Sequence, residues 1–373
     1  MPPFRADHVG SLLRPPELLR ARADHAAGRI TRAALRRIED AAVGQAVRMQ
    51  EDIGLQGVTD GEFRRIDWLM DFKLGIGGVE QVDTAPVKVP FRSESGAIDW
   101  SFVPYRIGSR LNHKGTIFGE DFTFLRSATK ATPKLTIPSP SMMHYPGGRG
   151  IDHAVYPDME QYFADLARVY IKEIADLAGL GCTYLQMDDT SLAMLNDPER
   201  RAAIGAGADT DHLRYIALSN SVLRAKPAGM TICTHLCRGN FRSAWLAEGS
   251  YEHVAEAMFS ELAVDGFFLE YDDARSGDFA PLRFVPKGRM VVLGLVTTKK
   301  PALESKDDLK RRIDAAAKYL PLDQLGLSPQ CGFASTAEGN LLTVDDQIAK
   351  LRLVVETARE VWGQGGERKA PGN

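Results

Sequence analysis

Short apolar runs alternate along the chain with longer stretches in which apolar residues recur every three or four positions. The runs are typical of buried strands, and the longer stretches are typical of amphipathic helices. The pattern predicts strands over residues 134–137, 184–187, 230–233, 266–269, 290–296 and 325–330. It predicts helices over residues 32–53, 159–180, 211–224, 251–263, 305–319 and 343–362. Two further short strands, before Ser11 and at Val58-Thr59, bring the number of strands to eight.

Strands that alternate with helices favour a parallel sheet. Eight such units predict an α/β fold of the (β/α)₈ TIM-barrel type, a single domain over residues 1–373. In this barrel the active site lies at the carboxyl ends of the strands. The predicted strand ends carry His8, Asp60, Ser139, Asp188, His235, Glu270, Thr297 and Cys331. A doubly wound open sheet is the alternative, but it explains less well why reactive residues follow so many strands.

One segment departs from this rhythm. From about residue 75 to residue 130, alternating stretches such as 87–91 and 100–103 predict a β-hairpin-like insertion after the second βα unit. The insertion is too short and too poor in apolar residues to form its own domain. We expect it to cover the barrel mouth or to build a subunit interface. The polar tail, 363–373, is expected to be frayed.

Composition narrows the classes of partner. The chain is 44% hydrophobic and 25% charged, with a net charge of -3, which gives no reason to expect nucleic acid or a membrane surface as partner. The first residues lack the apolar core of a signal peptide, and no apolar run is long enough to span a bilayer. A cytoplasmic location is therefore expected, where the four cysteines are free or metal-bound.

A metal site is predicted where three strands end. His235 and Cys237 are two residues apart, so their side chains point the same way from an extended backbone. Glu270 and Cys331 follow two later strands, and nitrogen, sulfur and oxygen ligands together suit Zn²⁺. A His-x-Cys pair alone is weak evidence, but placement on the ends of neighbouring barrel strands strengthens it. Cys182 and Cys233 are predicted to be buried as small apolar residues.

A zinc ion with thiolate ligands is a modest Lewis acid that suits a sulfur substrate. A free thiol, with a pKa of about 8.5, is mostly protonated at neutral pH, and binding to zinc stabilises its thiolate. The hypothesis at this point is that such a thiolate attacks an electrophilic carbon. Glu270 is the ligand that we expect to give way when the substrate sulfur arrives.

Six short motifs, in this order, resemble the catalytic domain of cobalamin-independent methionine synthase. They are Val9-Gly10-Ser11, Asp60-Gly61-Glu62, Leu185-Gln186-Met187-Asp188, Thr234-His235-Leu236-Cys237, Glu270 and Pro329-Gln330-Cys331-Gly332. The resemblance extends over nearly the whole chain and is to the short, single-barrel relatives. It implies a zinc-dependent methyltransferase that converts homocysteine to methionine.

The resemblance also implies roles for individual residues. His235, Cys237, Glu270 and Cys331 match the family's zinc ligands. The segment Val9 to Ser11, with Glu62 and Asp188, matches the part of the family that holds the amino-acid end of homocysteine. This assignment is physically reasonable, because two carboxylates suit an ammonium group, and a hydroxyl with backbone amides suits a carboxylate.

Two departures from the family leave the methyl donor open. The long enzymes carry a His after the seventh strand that protonates the folate leaving group, whereas this chain has Thr297 to Lys300 there, so no catalytic acid is assigned. The aromatic platform after the third strand is replaced by His144-Tyr145. The donor is expected to be methyltetrahydrofolate or a methylcorrinoid, the latter either free or carried by a corrinoid protein.

Other readings remain open at the level of sequence. The similar epoxyalkane:coenzyme M transferases open epoxides with a thiol, and Arg64, Arg65 or Arg238 could then meet a sulfonate. A zinc-stabilised barrel without catalytic activity is a reading from another class. Uroporphyrinogen decarboxylases and corrinoid methyltransferases are more distant relatives of the predicted fold.

Overall fold

The computed structural model describes residues 1–205 and 207–363, and its regular elements follow the predicted alternation. The strands are β1 Gly57–Val58, β2 Gly77–Gln81, β3 Val87–Ser93, β4 Gly96–Phe102, β5 Tyr105–Asn112, β6 Thr132–Pro138, β7 Tyr184–Asp189, β8 Thr231–Leu236, β9 Gly266–Glu270, β10 Met290–Val296 and β11 Leu325–Pro329. The α-helices are α1 Pro16–Ala26, α2 Arg32–Ile53, α3 Met70–Gly75, α4 Gly119–Ala128, α5 Met159–Gly179, α6 Ser191–Met194, α7 Pro198–Ile204, α8 Asp211–Leu223, α9 Glu252–Glu261, α10 Lys306–Ala316 and α11 Val344–Trp362. Of the tail predicted to fray, the residues after 363 lie outside the described part.

Seven parallel strands form one curled sheet in the order β1-β6-β7-β8-β9-β10-β11. The order follows the chain without a reversal, so the doubly wound alternative is wrong. Ala6 forms a parallel bridge with Leu327 of β11, and Thr59 after β1 donates to the carbonyl of Gly10 at 2.6 Å. The N-terminal segment therefore lies between β11 and β1, and the predicted α/β barrel is confirmed.

The first predicted strand, over Asp7 to Gly10, is reduced to that single bridge. The Asp7 carboxylate accepts hydrogen bonds from the backbone N–H groups of Phe4 and His8, at 3.1 and 2.8 Å. Gly10 then takes a φ of 142°. These local bonds and the turn at Gly10 bend the segment, so it cannot continue a regular ladder along β11.

The longer helices pack on the sheet through an apolar stripe, and α2, α5, α10 and α11 begin at side-chain caps. On α5, Leu166, Tyr170, Ile174 and Leu177 are buried at helical spacing. Thr343 is the N-cap of α11 and forms a capping box with Asp346. No helix within the described residues is long and apolar enough to cross a membrane.

The predicted insertion contains two separate antiparallel pairs. β2 pairs with β5, and β3 pairs with β4 in a hairpin whose register runs from Val87 opposite Phe102 to Ser93 opposite Gly96. The antiparallel part ends at Asn112, and helix α4 fills much of the remainder of the predicted 75–130 segment. Phe122 and Leu125 of α4 are buried, so this helix belongs to the outer layer of the barrel.

Candidate metal centre

The barrel brings four predicted side chains together at the carboxyl ends of three strands. One ligand atom from each of His235, Cys237, Glu270 and Cys331 lies within 4.8 Å of the others. The two sulfurs are 3.4 Å apart. All four residues are buried, at 7% exposure or less. The cluster therefore forms the closed end of a site on the axis side of the barrel.

The positions of the four side chains follow from the alternation of residues along each strand and from the register between neighbouring strands. In β8, Cys233 and His235 alternate with Ile232 and Thr234, and Cys237 continues the series because its N–H still bonds to Asp189 of β7, at 3.1 Å. Glu270 is the last residue of β9 and is opposite Gly294 of β10. The ends of adjacent parallel strands lie at one edge, so residues distant in sequence converge there.

Close approach of two loops is possible because residue 332 is glycine. A Cβ atom on Gly332 would lie 2.0 Å from the Ser11 hydroxyl oxygen. The N-terminal segment can therefore lie directly against the loop that carries Cys331. Any larger residue at position 332 would push Ser11 away from the cluster.

The donor set fits a zinc ion on two observations. Both ring nitrogens of His235 and one carboxylate oxygen of Glu270 are buried without a hydrogen-bond partner among the described residues. Buried polar atoms are normally paired, so unpaired ones at a single point indicate a missing partner. Two sulfurs on a tetrahedral zinc, each at about 2.3 Å, would be about 3.8 Å apart, close to the spacing of Cys237 and Cys331.

The electrostatics of the cluster also favour a cation. Burial raises the pKa of Glu270 to about 7, and burial likewise raises that of Asp188 to about 7 although His235 lowers it. A hydrogen bond with Cys237 lowers the pKa of Cys331 and raises that of Cys237, so one thiolate is favoured between them. Several anionic groups in one buried site are costly unless a positive charge accompanies them.

Two buried cations support the cluster from behind. The backbone N–H of Arg238 donates to Glu270 Oε2 at 3.2 Å, and its guanidinium donates to the Glu270 carbonyl at 3.0 Å and to Tyr251 at 2.8 Å. Lys299 donates from Nζ to Asn240 Oδ1 at 2.9 Å. Arg238 thus fixes the orientation of the Glu270 carboxylate. Neither of these roles was predicted, because both depend on contacts between different strand ends.

The residues that the resemblance assigned to the substrate line the same cavity as the cluster. Val9, Ser11, Glu62 and Asp188 share its wall with His235, Cys237 and Cys331. Burial raises the pKa of Glu62, and its Oε2 atom has no partner among the described residues. Asp188 is the register partner of His235 across β7 and β8. Two acidic groups therefore stand beside the metal cluster.

Unpredicted residues hold these two carboxylates in place. Gln186 Nε2 donates to Asp188 Oδ1 and to the carbonyl of Val9, both at 2.7 Å. Thr136 donates to Glu62 Oε1 at 2.9 Å, and Glu62 itself adopts a left-handed φ of 60°. A non-glycine residue in that conformation is uncommon, so the surrounding contacts must hold the backbone of Glu62 in place. Gln186 is part of the motif that ends at Asp188. Alternation along β7 places these two side chains on the same side of the strand, so the sequence could have identified Gln186.

The cavity has a volume of about 520 Å³, and the insertion covers it. We call the antiparallel strands β2 to β5 the roof, and the cluster with Glu62 and Asp188 the floor. Phe91, Trp100, Phe102 and Tyr105 of the roof line the cavity, and Trp68 and Tyr145 line its sides. The roof therefore supplies an aromatic wall to the cavity, and of the expected pair His144-Tyr145 it is Tyr145 that lines the cavity.

Several other candidates lie elsewhere. Arg64 pairs with Asp40, Arg65 is 4.0 Å from the ring centroid of Phe118, and neither lines the cavity. His144 is held between Tyr215 and Phe163, away from the cavity lining. Cys182 and Cys233 are fully buried apart from the cluster, as predicted.

The stretch from Thr297 to Lys300 offers no acid to the cavity. Beneath the Cys331 loop, the backbone N–H of Thr298 donates to Gln330 Oε1 at 2.5 Å, and its hydroxyl donates to the Gly332 carbonyl at 3.1 Å. Lys299 is held by Asn240, as described above, and Lys300 pairs with Glu94 on the roof at 2.5 Å. The residues in this stretch serve to join loops.

Comparison with known proteins gives a consistent result. The model of the family described as the catalytic domain of cobalamin-independent synthase matches residues 152–360. An uncharacterized protein, YxjH, from Bacillus subtilis strain 168 is 46% identical over 96% of this chain and 95% of its own length. A protein from Listeria monocytogenes, described as a vitamin-B12 independent methionine synthase, is 38% identical and has a TM-score of 0.78, covering 97% of this chain and 99% of that one.

A more distant solved structure has the same fold. The B12-independent methionine synthase from Shewanella sp. W3-18-1, solved in complex with selenomethionine, is 18% identical with a TM-score of 0.72. The match covers 96% of this chain and 97% of that one. The likeness includes the residues before 152, so the fold agrees over the N-terminal segment and the roof region as well as the matched domain.

Proposed function

The chain belongs to the cobalamin-independent methionine synthase family, and from this premise we propose that it is a zinc-dependent methyltransferase that converts homocysteine to methionine. The observation that carries the proposal is the floor of the cavity. There two Cys, together with a His and a Glu that have unpaired ligand atoms, adjoin two buried carboxylates at the end of one cavity. This is the set of groups that a substrate with a thiol at one end and an ammonium at the other requires.

Each group of the floor has a role that follows from its chemistry. His235, Cys237, Glu270 and Cys331 would hold the zinc ion, which when bound lowers the pKa of the substrate thiol so that the thiolate persists at neutral pH. Glu62 and Asp188 bind the substrate ammonium. Ser11, with the amides near it, binds the substrate carboxylate. The Shewanella relative was solved with selenomethionine, the selenium analogue of the proposed product.

We propose methyltetrahydrofolate as the methyl donor. The roof and sides of the cavity present aromatic rings, which suit the face of a flat heterocycle. A volume of about 520 Å³ is in the range of pockets that enclose one small molecule. A corrinoid protein as partner has no support from the comparisons.

The site does not favour the two alternative functions, which are epoxide opening with coenzyme M and a zinc-stabilised barrel without catalytic activity. Of the three candidate arginines, Arg238 already donates to the Glu270 carbonyl, Tyr251 and the Gly249 carbonyl. Arg65 lies 3.9 Å from Glu62 Oε1 and donates to Thr136, and Arg64 pairs with Asp40. Within the described cavity wall, none of those three arginines is therefore available to bind the sulfonate of coenzyme M. A purely structural zinc site does not need the buried carboxylates Glu62 and Asp188 beside it.

The test is a product assay on zinc-loaded protein. Homocysteine is supplied with methyltetrahydrofolate in one reaction and with methylcobalamin in another, and methionine is quantified. We expect methionine from the folate. If methionine forms from methylcobalamin alone, the methyl donor is a corrinoid and not the folate. If no methionine forms from either donor although stoichiometric zinc is bound, the proposed methyltransferase activity is wrong.

A further inference from the structure

The proposed reaction needs a proton donor that the floor does not supply. When the methyl group leaves N5 of methyltetrahydrofolate, that nitrogen keeps the electron pair and must take up a proton to become a good leaving group. The residues from Thr297 to Lys300, where the resemblance places a His, are occupied in joining loops. The proton must therefore come from another group that lines the cavity.

Most polar groups of the cavity wall cannot act as this acid. Arg149 and Arg200 do not release a proton near neutral pH. Burial raises the pKa of Tyr145 to about 12, which makes its hydroxyl a poor acid. Lys88 is 71% exposed at its side chain and pairs with Asp99 at 3.6 Å, facing solvent. Glu62 and Asp188 also line the cavity, but as carboxylates paired with the substrate ammonium they are committed to substrate binding. The remaining candidates are Lys73 and Tyr105, which contact each other.

We propose that Tyr105, assisted by Lys73, is the general acid that protonates N5 of the methyl donor. Both residues line the cavity. Lys73 Nζ donates to the Tyr105 hydroxyl oxygen at 2.8 Å and lies 4.3 Å from the centroid of its ring. Lys73 is 2% exposed, so its charge acts on the phenol with little screening by water. This inference rests on the proposed methyltransferase with a folate donor.

The proton and electron balance of the step is simple. The thiolate sulfur forms a bond to the methyl carbon, the carbon–N5 bond breaks, and its electron pair stays on N5. The Tyr105 hydroxyl proton passes to N5, which gives tetrahydrofolate. The resulting phenolate is stabilised by the Lys73 ammonium, which passes on a proton that solvent replaces.

The pair is held between two parts of the molecule. Lys73 lies on α3, whose first turn is fixed because the Asp67 carboxylate accepts from the N–H groups of Leu69 and Met70, at 2.7 and 2.6 Å. Tyr105 is the first residue of β5 and is opposite Gln81 of β2. The roof therefore contributes a reacting group as well as an aromatic wall.

The experiment compares two methyl donors in Tyr105→Phe. Methyltetrahydrofolate needs a proton on its leaving group, whereas methyl iodide leaves as iodide and needs none. We expect kcat with methyltetrahydrofolate to fall about 100-fold, as for loss of a general acid. Methionine formation from methyl iodide, the KM for homocysteine and the zinc content should stay within about threefold of wild type. Lys73→Met should show the same selective loss, to a smaller degree.

The matched control is Tyr156→Phe. The Tyr156 hydroxyl accepts from the N–H of Leu111 on β5 at 2.6 Å, so this variant loosens the same strand without altering the cavity. It should keep its activity with both donors. The proposal is overturned if Tyr105→Phe keeps kcat with the folate, or if it loses activity with both donors equally, since that pattern indicates a structural role. If wild type makes methionine from methyl iodide but not from the folate, the folate donor itself is wrong, and this inference falls with it.

Discussion

The floor and the roof of the cavity differ in how they are held. Floor residues are buried at strand ends, and hydrogen bonds from Gln186, Thr136 and Arg238 fix their carboxylates. The roof includes the short antiparallel strands β3 and β4, in which Phe91 is buried and the other residues are partly or fully exposed. A barrel edge positions groups to within tenths of an ångström, whereas a covering hairpin tolerates more change.

Attachment of the β3–β4 hairpin of the roof is correspondingly light, whereas β2 and β5 pack on the core through Val79, Ile107 and Leu111. The ring centroids of Phe91 and Phe241 are 5.5 Å apart, and Arg92 exchanges two backbone hydrogen bonds with Trp245, at 2.7 and 2.9 Å. Exposed ion pairs from Arg92 to Glu199 and from Lys300 to Glu94 contribute only about 0–1 kcal/mol each. We therefore expect floor substitutions to remove metal or thiol binding, and roof substitutions to alter use of the methyl donor.

The largest effect is expected at the metal ligands. Cys331→Ser and His235→Ala each remove one ligand of the proposed tetrahedral site, so zinc and activity should be lost together. Activity should fall by more than about 1,000-fold, because the substrate thiol would then be protonated and unbound. Metal analysis of the purified variants and a methionine assay measure the two losses side by side.

The other two cysteines provide the control for that experiment. Cys233→Ala and Cys182→Ala alter thiols that are buried at 0% and 2% exposure away from the cluster. Both variants should keep stoichiometric zinc. Full zinc in Cys331→Ser and His235→Ala would remove those residues from the ligand set, and loss of zinc in Cys233→Ala would show that the wrong sulfur was chosen.

A smaller and different effect is expected from Asp188→Asn. The variant keeps the oxygen that accepts from Gln186 but removes the negative charge that faces the substrate ammonium. Loss of one charge-assisted hydrogen bond costs about 1.5–3 kcal/mol, so the KM for homocysteine should rise roughly 10- to 100-fold. Steady-state kinetics with metal analysis is the measurement, and zinc should be retained.

Asp99→Asn is the matched control, because Asp99 is an exposed carboxylate on the outer side of the roof. It should change neither the KM for homocysteine nor the zinc content. Loss of zinc from Asp188→Asn would instead place Asp188 among the metal ligands.

The floor was largely predictable from sequence, and the reason is geometric. In a parallel barrel the residue that follows each strand lies at a common edge, so recognising strand ends was enough to group His235, Cys237, Glu270 and Cys331. The structure brings these four together as expected. Val9, Ser11, Glu62 and Asp188 came from the resemblance, and their shared cavity agrees with it, although their roles remain predictions.

The roof was predictable only as a local pattern. Alternation indicated the strands of the β3–β4 hairpin, but the pairing of β2 with β5 and the hairpin's contact with Phe241 depend on long-range packing. Lys73 and Tyr105 are 32 residues apart on elements of different type, so no periodicity could connect them. Helix α4 was not predicted as a separate element, because the sequence pattern of the insertion in which it lies is mostly strand-like.

The smallest effect is expected at Trp100 on the roof. A substitution there is also the sharpest test of whether the floor and the roof act separately. The Trp100 ring stacks on Phe102 with centroids 5.1 Å apart and lines the cavity. Trp100→Ala removes an aromatic contact worth about 0.5–1.5 kcal/mol, so the KM for methyltetrahydrofolate should rise roughly 2- to 10-fold. The KM for homocysteine and the zinc content should not change, and steady-state kinetics with each substrate varied in turn measures both constants.

Ile98→Ala is the control for Trp100→Ala, because Ile98 packs within the hairpin on the same side of β4 but does not line the cavity. It should leave both constants within about twofold, since its loss affects only packing of the roof. The double variant of Trp100→Ala with Asp188→Asn decides whether floor and roof act separately. Distant, independent sites have additive free energies to within about 0.5 kcal/mol. A larger deviation, or zinc loss in Trp100→Ala alone, would mean that the roof helps to hold the floor in place, and the two regions would then have to be treated as one binding unit.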